Sequence, residues 1–205
     1  MDTIFPLDVR LLAQSQLDVT FDEPEQINLD ASVPNHLVPI ETAGFIDRER
    51  NRIVVAQKFQ PEYRRFTGAH EIGHWLLHPN LTYHRDRPLK GMERFVHHRP
   101  AVEYEADAFA SELLMPSKVL KRYFYVRFNQ DIHLSQLSET IVFQLSAQSS
   151  TRISDFTSRS KRHLALRVAT CEAFAGRHFE SIAKRFGVSP TAAAIRLEEL
   201  QLVRN

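Results

Sequence analysis

His70-Glu71-Ile72-Gly73-His74 brings two imidazoles and a carboxylate together within five residues. On an α-helix, residues four apart differ by about 40° in direction and about 6 Å in height, so both histidines can reach one metal ion. Glu71 is turned about 100° from His70, where it meets a water on the metal rather than the metal itself. Two histidines and a neighbouring carboxylate in this order suit zinc-assisted hydrolysis, with Glu71 as general base. The alternative reading of the same five residues is two surface histidines on an ordinary helix.

A catalytic zinc takes three protein ligands and keeps one position open. Downstream, Glu103, Glu105 and Asp107 fall within Val102-Glu-Tyr-Glu-Ala-Asp-Ala-Phe-Ala-Ser-Glu-Leu-Leu-Met-Pro116. If that segment is helical, Glu103 and Asp107 share a face beside the apolar stripe of Ala106, Phe109, Ala110 and Leu113, and Glu105 points away. Glu103 is therefore the expected third ligand. Asp107 is placed to accept the second ring N–H of a metal-binding histidine. Glu105 reads as a surface charge, and His78 as a non-ligating residue that could interact with the helix dipole. His84, His97, His98, Tyr83 and Tyr104 could each stabilise an oxyanion, and the sequence does not choose among them.

The elements that must carry these groups are legible in outline. Residues 61–78 read as a helix, started by Pro61 and Glu62 and stopped by Pro79. Its apolar positions Phe66, Ala69, Ile72, Leu76 and Leu77 predict a core-facing stripe, with His70, Glu71 and His74 off that stripe toward a cleft. A second helix spans about 101–115. Before them, residues 37–46 and 52–56 read as strands around the turn 47–51, and residues 6–16 as a helix opened by Pro6. The stretch 123–128 fits helix or strand, and 146–160, rich in Ser and Thr, reads as a surface loop. Helices over about 161–175, 178–186 and 190–200 close the chain.

The predicted fold class is α+β: a small antiparallel sheet packed against the zinc-bearing helices, with a helical, helix-turn-helix-like C-terminal part. The domain reading is 1–120 for a zincin-like metallopeptidase domain, 121–160 for an insertion or linker and 161–205 for a helical subdomain.

The chain of 205 residues is 43% hydrophobic and 25% charged, as a globular protein is. No segment offers the roughly 18 unbroken apolar residues of a membrane helix, and the N-terminus does not resemble a signal peptide. One cysteine, Cys171, fits a reducing compartment, so a cytoplasmic location is expected. The formal charge of +1 hides an asymmetry. Residues 1–120 carry 13 Lys/Arg against 18 Asp/Glu, a net of −5, and residues 121–205 carry 13 against 7, a net of +6. That basic half is either a solvated face or a surface for an acidic partner.

Residues 180–200 read as helix–turn–helix, with Ala183 at a crossing, Gly187 in the turn and Ser189-Pro190 starting the second helix. DNA could be held through Lys184 and Arg185 on phosphates and Arg196 on a base, but Thr191, Ala192, Ala193 and Ala194 offer base edges little. The alternative is a helical pair that packs on its own protein or docks another.

The paired segments Arg65-Phe-Thr-Gly-Ala-His-Glu-Ile-Gly-His-Trp-Leu-Leu-His78 and Glu103 to Pro116 resemble the ImmA/IrrE family of metallopeptidases, as do the preceding strands and Phe186-Gly-Val-Ser with Arg196-Leu-Glu-Glu-Leu200. The likeness covers roughly residues 36–120 and 176–203. It implies a zinc site of two histidines and one glutamate, and a regulatory role in which a helix-turn-helix repressor is cut or lost, often in a stress response or on a mobile element. The family often has Asn where this chain has Asp107, and either side chain accepts an imidazole N–H. Residues 122–165 are longer than the family's usual link. A second functional class stays open: a transcriptional regulator or antitoxin-like binding module whose zinc site is structural or vestigial.

Overall fold

The computed structural model describes residues 5–25, 27, 42–81, 83–86, 100–145 and 160–205. Packing divides the chain into two compact units, Asp8–Leu113 and a second formed by the first seven residues with Leu114–Asn205. The architecture is α+β.

The first unit opens with helix α1 (Val9–Gln16), whose Asp8 side chain accepts from the Leu11 N–H at 3.0 Å. Pro6 was the expected first helical residue; the Asp8 cap, which satisfies an orphan N–H, starts the helix later. Strands β1 (Thr20–Asp22), β2 (Gly44–Asp47), β3 (Arg52–Val55) and β4 (Tyr83–Asp86) form one sheet in the order β1-β3-β2-β4. The expected antiparallel hairpin is β2–β3, paired Phe45 to Val54 and Asp47 to Arg52, and β4 adds antiparallel to β2. β1 joins parallel to β3, a pairing the sequence did not announce. Asn51 closes the hairpin turn at φ 49°, a left-handed position that Asn tolerates.

Helix α2 (Pro61–Leu77) lies against β2 and β3, and helix α3 (Ala101–Leu114) carries the downstream acidic residues. Every residue of α2 from Thr67 to His74 is buried. This corrects the predicted wheel. Leu76 and Leu77 are 47% exposed, whereas His70, Glu71 and His74 are among the most buried side chains of the helix. A stripe calculation assumes one covered face, but α2 has neighbours on several sides, and its polar residues are inside because they have each other.

One residue fixes how closely α3 approaches. A Cβ on Gly73 would lie 3.2 Å from both the Cα and the carbonyl oxygen of Ala106. Glycine in this position lets the two backbones nearly touch, and the side chains flanking Ala106 then reach α2. The C-terminus of α2 is held from the hairpin turn. Arg48 Nη2 donates to the carbonyls of His74, Trp75 and His78 at 3.0, 2.8 and 3.1 Å, and its Nε donates to Leu81 O at 2.8 Å. Its guanidinium also lies 4.4 Å from the centre of the Trp75 ring. Trp75 and His78 carry carbonyls that the helix end leaves without intrahelical donors, while His74 O also accepts the His78 N–H at 3.1 Å, and a cation there suits the helix dipole.

The second unit contains α4 (Ser117–Phe128), β5 (Ile132–His133), a 3₁₀ turn (Leu134–Gln136) and α5 (Glu139–Leu145). It continues with α6 (Lys161–Thr170), β6 (Ala173–Phe174), β7 (Arg177–His178), α7 (Ile182–Phe186), α8 (Pro190–Glu199) and β8 (Val203–Arg204), which pairs in parallel with β5. The ambiguous stretch 123–128 is helical, and Phe124 and Phe128 stack 4.8 Å apart in the core. The helix read as 161–175 stops at Thr170, because residues 173–178 turn back as a hairpin. Between α7 and α8 the predicted turn is present: Gly187 is left-handed at φ 60°, and the Ser189 side chain caps α8 through the Ala192 N–H. The Ser/Thr-rich stretch 146–159 lies outside the described residues.

Two outcomes follow for the first unit. Gly73→Val should force α3 away from Ala106 and cost about 1–3 kcal/mol in chemical denaturation, the usual penalty for overpacking. Asp47 supplies a pH-dependent contribution. Burial would raise its pKa, but hydrogen bonds from the Arg50 side chain and backbone and from Arg52 hold the carboxyl below its ordinary value. Stability from a depressed carboxylate is present above the unfolded pKa near 4 and is lost as pH falls through the folded value. Asp47→Asn should therefore lower the melting temperature at pH 7, and the gap to wild type should close below about pH 4.

Candidate metal centre

Helix α2 presents His70 and His74 one turn apart, and α3 brings Glu103 to them across the Gly73–Ala106 contact. The two Nε2 atoms lie 3.0 Å apart, and Glu103 places Oε2 3.5 Å from that of His70 and Oε1 3.5 Å from that of His74. All three side chains are buried, and they form the group of potential metal ligands found among the described residues.

The outer nitrogens show which atoms face inward. His70 Nδ1 is 2.9 Å from Asp107 Oδ1, so the ring donates Nδ1–H to the carboxylate and turns the Nε2 lone pair inward. His74 Nδ1 is 2.9 Å from His78 Nδ1, and His78 Nε2 is 2.9 Å from Glu105 Oε2. A carboxylate only accepts, so a neutral His78 donates from Nε2 and accepts at Nδ1. His74 then donates its Nδ1–H, and its Nε2 lone pair also faces inward. Two imidazole lone pairs and a carboxylate converging at 3.0–3.5 Å repel one another until a cation lies between them. Ligands about 2.0–2.1 Å from a tetrahedral zinc are about 3.3–3.4 Å apart, a spacing that the observed 3.0 and 3.5 Å separations bracket.

Glu71 is fully buried beside this group. A Cβ on Gly44, the first residue of β2, would lie 2.6 Å from Thr67 Cγ2 and 3.1 Å from Glu71 Oε1. Glycine at that strand end lets the sheet pass against the glutamate, a requirement that the sequence alone does not announce.

The sequence reading of Glu105 as a surface charge holds but leaves out a contact. Its side chain is 60% exposed, as a surface charge is, yet its carboxylate holds His78. A helical wheel gives the direction of a side chain but not its reach past the end of a neighbouring helix. His78 itself caps α2 and bridges His74 to Glu105, while Arg48 occupies the helix end where His78 was expected to meet the dipole. The i, i+4 series His70, His74, His78 was the available clue. Of the oxyanion candidates, Tyr104 is half exposed, Tyr83 and His84 fall on β4, and His97 and His98 lie outside the described residues.

The residues considered for nucleic acid are engaged with protein. Arg196 is 9% exposed, donating to Met115 O at 3.3 Å and pairing with Glu199. Lys184 pairs with Glu172, and Arg185 lies 3.9 Å from Glu180.

No helix among the described residues is long and apolar enough to cross a membrane. Residues 38–148, more than half of the chain, match the IrrE N-terminal-like domain of the M78 peptidases. The chain is also similar to the "Uncharacterized immunity region protein 2" of Bacillus phage phi105, at 31% identity over 115 residues covering 48% of this chain and 68% of the relative. The convergent histidines and glutamate lie inside the matched region, and the chain belongs to the ImmA/IrrE family of metallopeptidases.

Proposed function

We propose that the protein is a zinc-dependent regulatory endopeptidase of narrow specificity, acting in the cytoplasm on a helix-turn-helix transcriptional repressor. The observation that carries the reading is the convergence of three lone-pair donors beside a buried glutamate that is not one of them. A purely structural zinc site closes its coordination with four protein ligands and has no use for a base next to it. Three ligands of nitrogen and oxygen type leave a position open for chemistry.

His70, His74 and Glu103 would hold the zinc, with Asp107 fixing the tautomer of His70. When bound, zinc supplies a Lewis acid that acidifies water and polarises a peptide carbonyl. Glu71 takes the proton from the attacking water and delivers it to the departing amine, so the peptide is split into a carboxylate and an amine with no net proton left on the enzyme. Burial of Glu71 keeps that proton from bulk solvent.

The repressor as substrate is supported by the family and by the phage relative, which is named for an immunity region. The DNA-binding alternative has less support, because α8 buries Ala192, Ala193, Ala194 and Arg196.

Metal content and cleavage test the reading together. Wild type should bind close to one zinc per chain, and Glu103→Ala should lose most of it. Glu71→Gln should keep the metal yet lose activity by at least about 10²–10⁴-fold, the range for removing a general base. Cleavage is read by mass spectrometry after incubation with a co-encoded helix-turn-helix repressor. Metal-loaded wild type and Glu71→Gln acting identically on that repressor would overturn the proposal.

A further inference from the structure

The histidine at the end of α2 has a place in the metal site that the ligand set does not require. We infer that His78 and Glu105 are positioning residues for the metal: a hydrogen-bond chain from Glu105 through His78 fixes the ring orientation and tautomer of His74. The inference rests on the metal-centre reading above and extends it to two further residues.

Both links are 2.9 Å long. With His78 neutral, the direction of donation is set from the outside, because the terminal carboxylate can only accept. Glu105 takes the His78 Nε2–H, His78 Nδ1 takes the His74 Nδ1–H, and His74 Nε2 is committed to the metal side. His70 reaches the same state by a shorter route, through Asp107 alone. The longer chain has a geometric cause. On α3, Asp107 lies opposite His70, whereas Glu105, two residues earlier, reaches the end of α2 and meets His78 in place of His74. His78 spans the remaining distance, and its backbone is held there by Arg48 on its carbonyl. His78 is buried and Glu105 is exposed, so the chain links a solvent-exposed carboxylate to a buried ring.

The test is competition for Zn²⁺ against a chromogenic chelator, using wild type, His78→Phe, Glu105→Ala and Glu105→Gln. His78→Phe should weaken zinc affinity roughly tenfold or more, in the range for losing a partner that orients a ligand. Glu105→Ala, a surface change that leaves the fold intact, should weaken it several-fold. Glu105→Gln keeps an acceptor oxygen and should restore most of that loss. Long-range ¹H–¹⁵N spectra of the zinc-loaded protein should show neutral His78 protonated on Nε2, a signature that a packing role would not dictate. Equal affinities in wild type, His78→Phe and Glu105→Ala, or His78 protonated on Nδ1, would overturn the inference while leaving the metal centre in place. A wild type that takes up no zinc would overturn the metal centre itself.

Discussion

Electrostatic repulsion among His70, His74 and Glu103 is the constraint around which the first unit is arranged. Three lone-pair donors crowded within 3.0–3.5 Å in a buried setting are unfavourable without a positive charge among them. Holding them there demands a scaffold that does not relax. Gly73 lets α3 ride directly on α2, Gly44 lets β2 pass beside Glu71, and Arg48 gathers the carbonyls at the end of α2. Each feature costs little by itself, and together they leave the side chains few other places to go.

The two histidines are supported unequally, and the difference follows from helix geometry. Residues on α3 near the crossing face His70 directly, so one carboxylate suffices. His74 lies one turn further on, where the carboxylate on its Nδ1 side, Glu105, reaches it only through His78. The hydrogen bonds run outward from both rings to carboxylates, which leaves both Nε2 atoms aimed at the same point. An arrangement that specifies tautomers as well as positions reads as preparation for metal binding rather than as packing.

Much of this was legible in the residues. The five-residue motif and helical spacing marked His70, His74 and Glu103, which form the buried group that could hold a metal, and placed Asp107 beside a histidine ring. The hairpin around residues 47–51 and the turn at Gly187 followed from Asn, Gly and Ser-Pro chemistry that acts over a few residues. What stayed hidden depends on contacts distant in sequence. The parallel pairing of β1 with β3, the reach of Arg48 to α2 and the link from Glu105 to His78 each join segments at least 25 residues apart. The wheel of α2 misled because amphipathicity assumes one wet face, and the centre of α2 has none.

The central claim is that one metal ion lies among His70, His74 and Glu103 with a coordination position left open. X-ray absorption at the zinc edge on the metal-loaded protein addresses it most directly. The account predicts two imidazole nitrogens and carboxylate oxygen at about 2.0–2.1 Å, completed by an exchangeable ligand that added phosphonate or hydroxamate displaces. A first shell of four protein ligands that no small molecule displaces, or a shell with one imidazole, would contradict it.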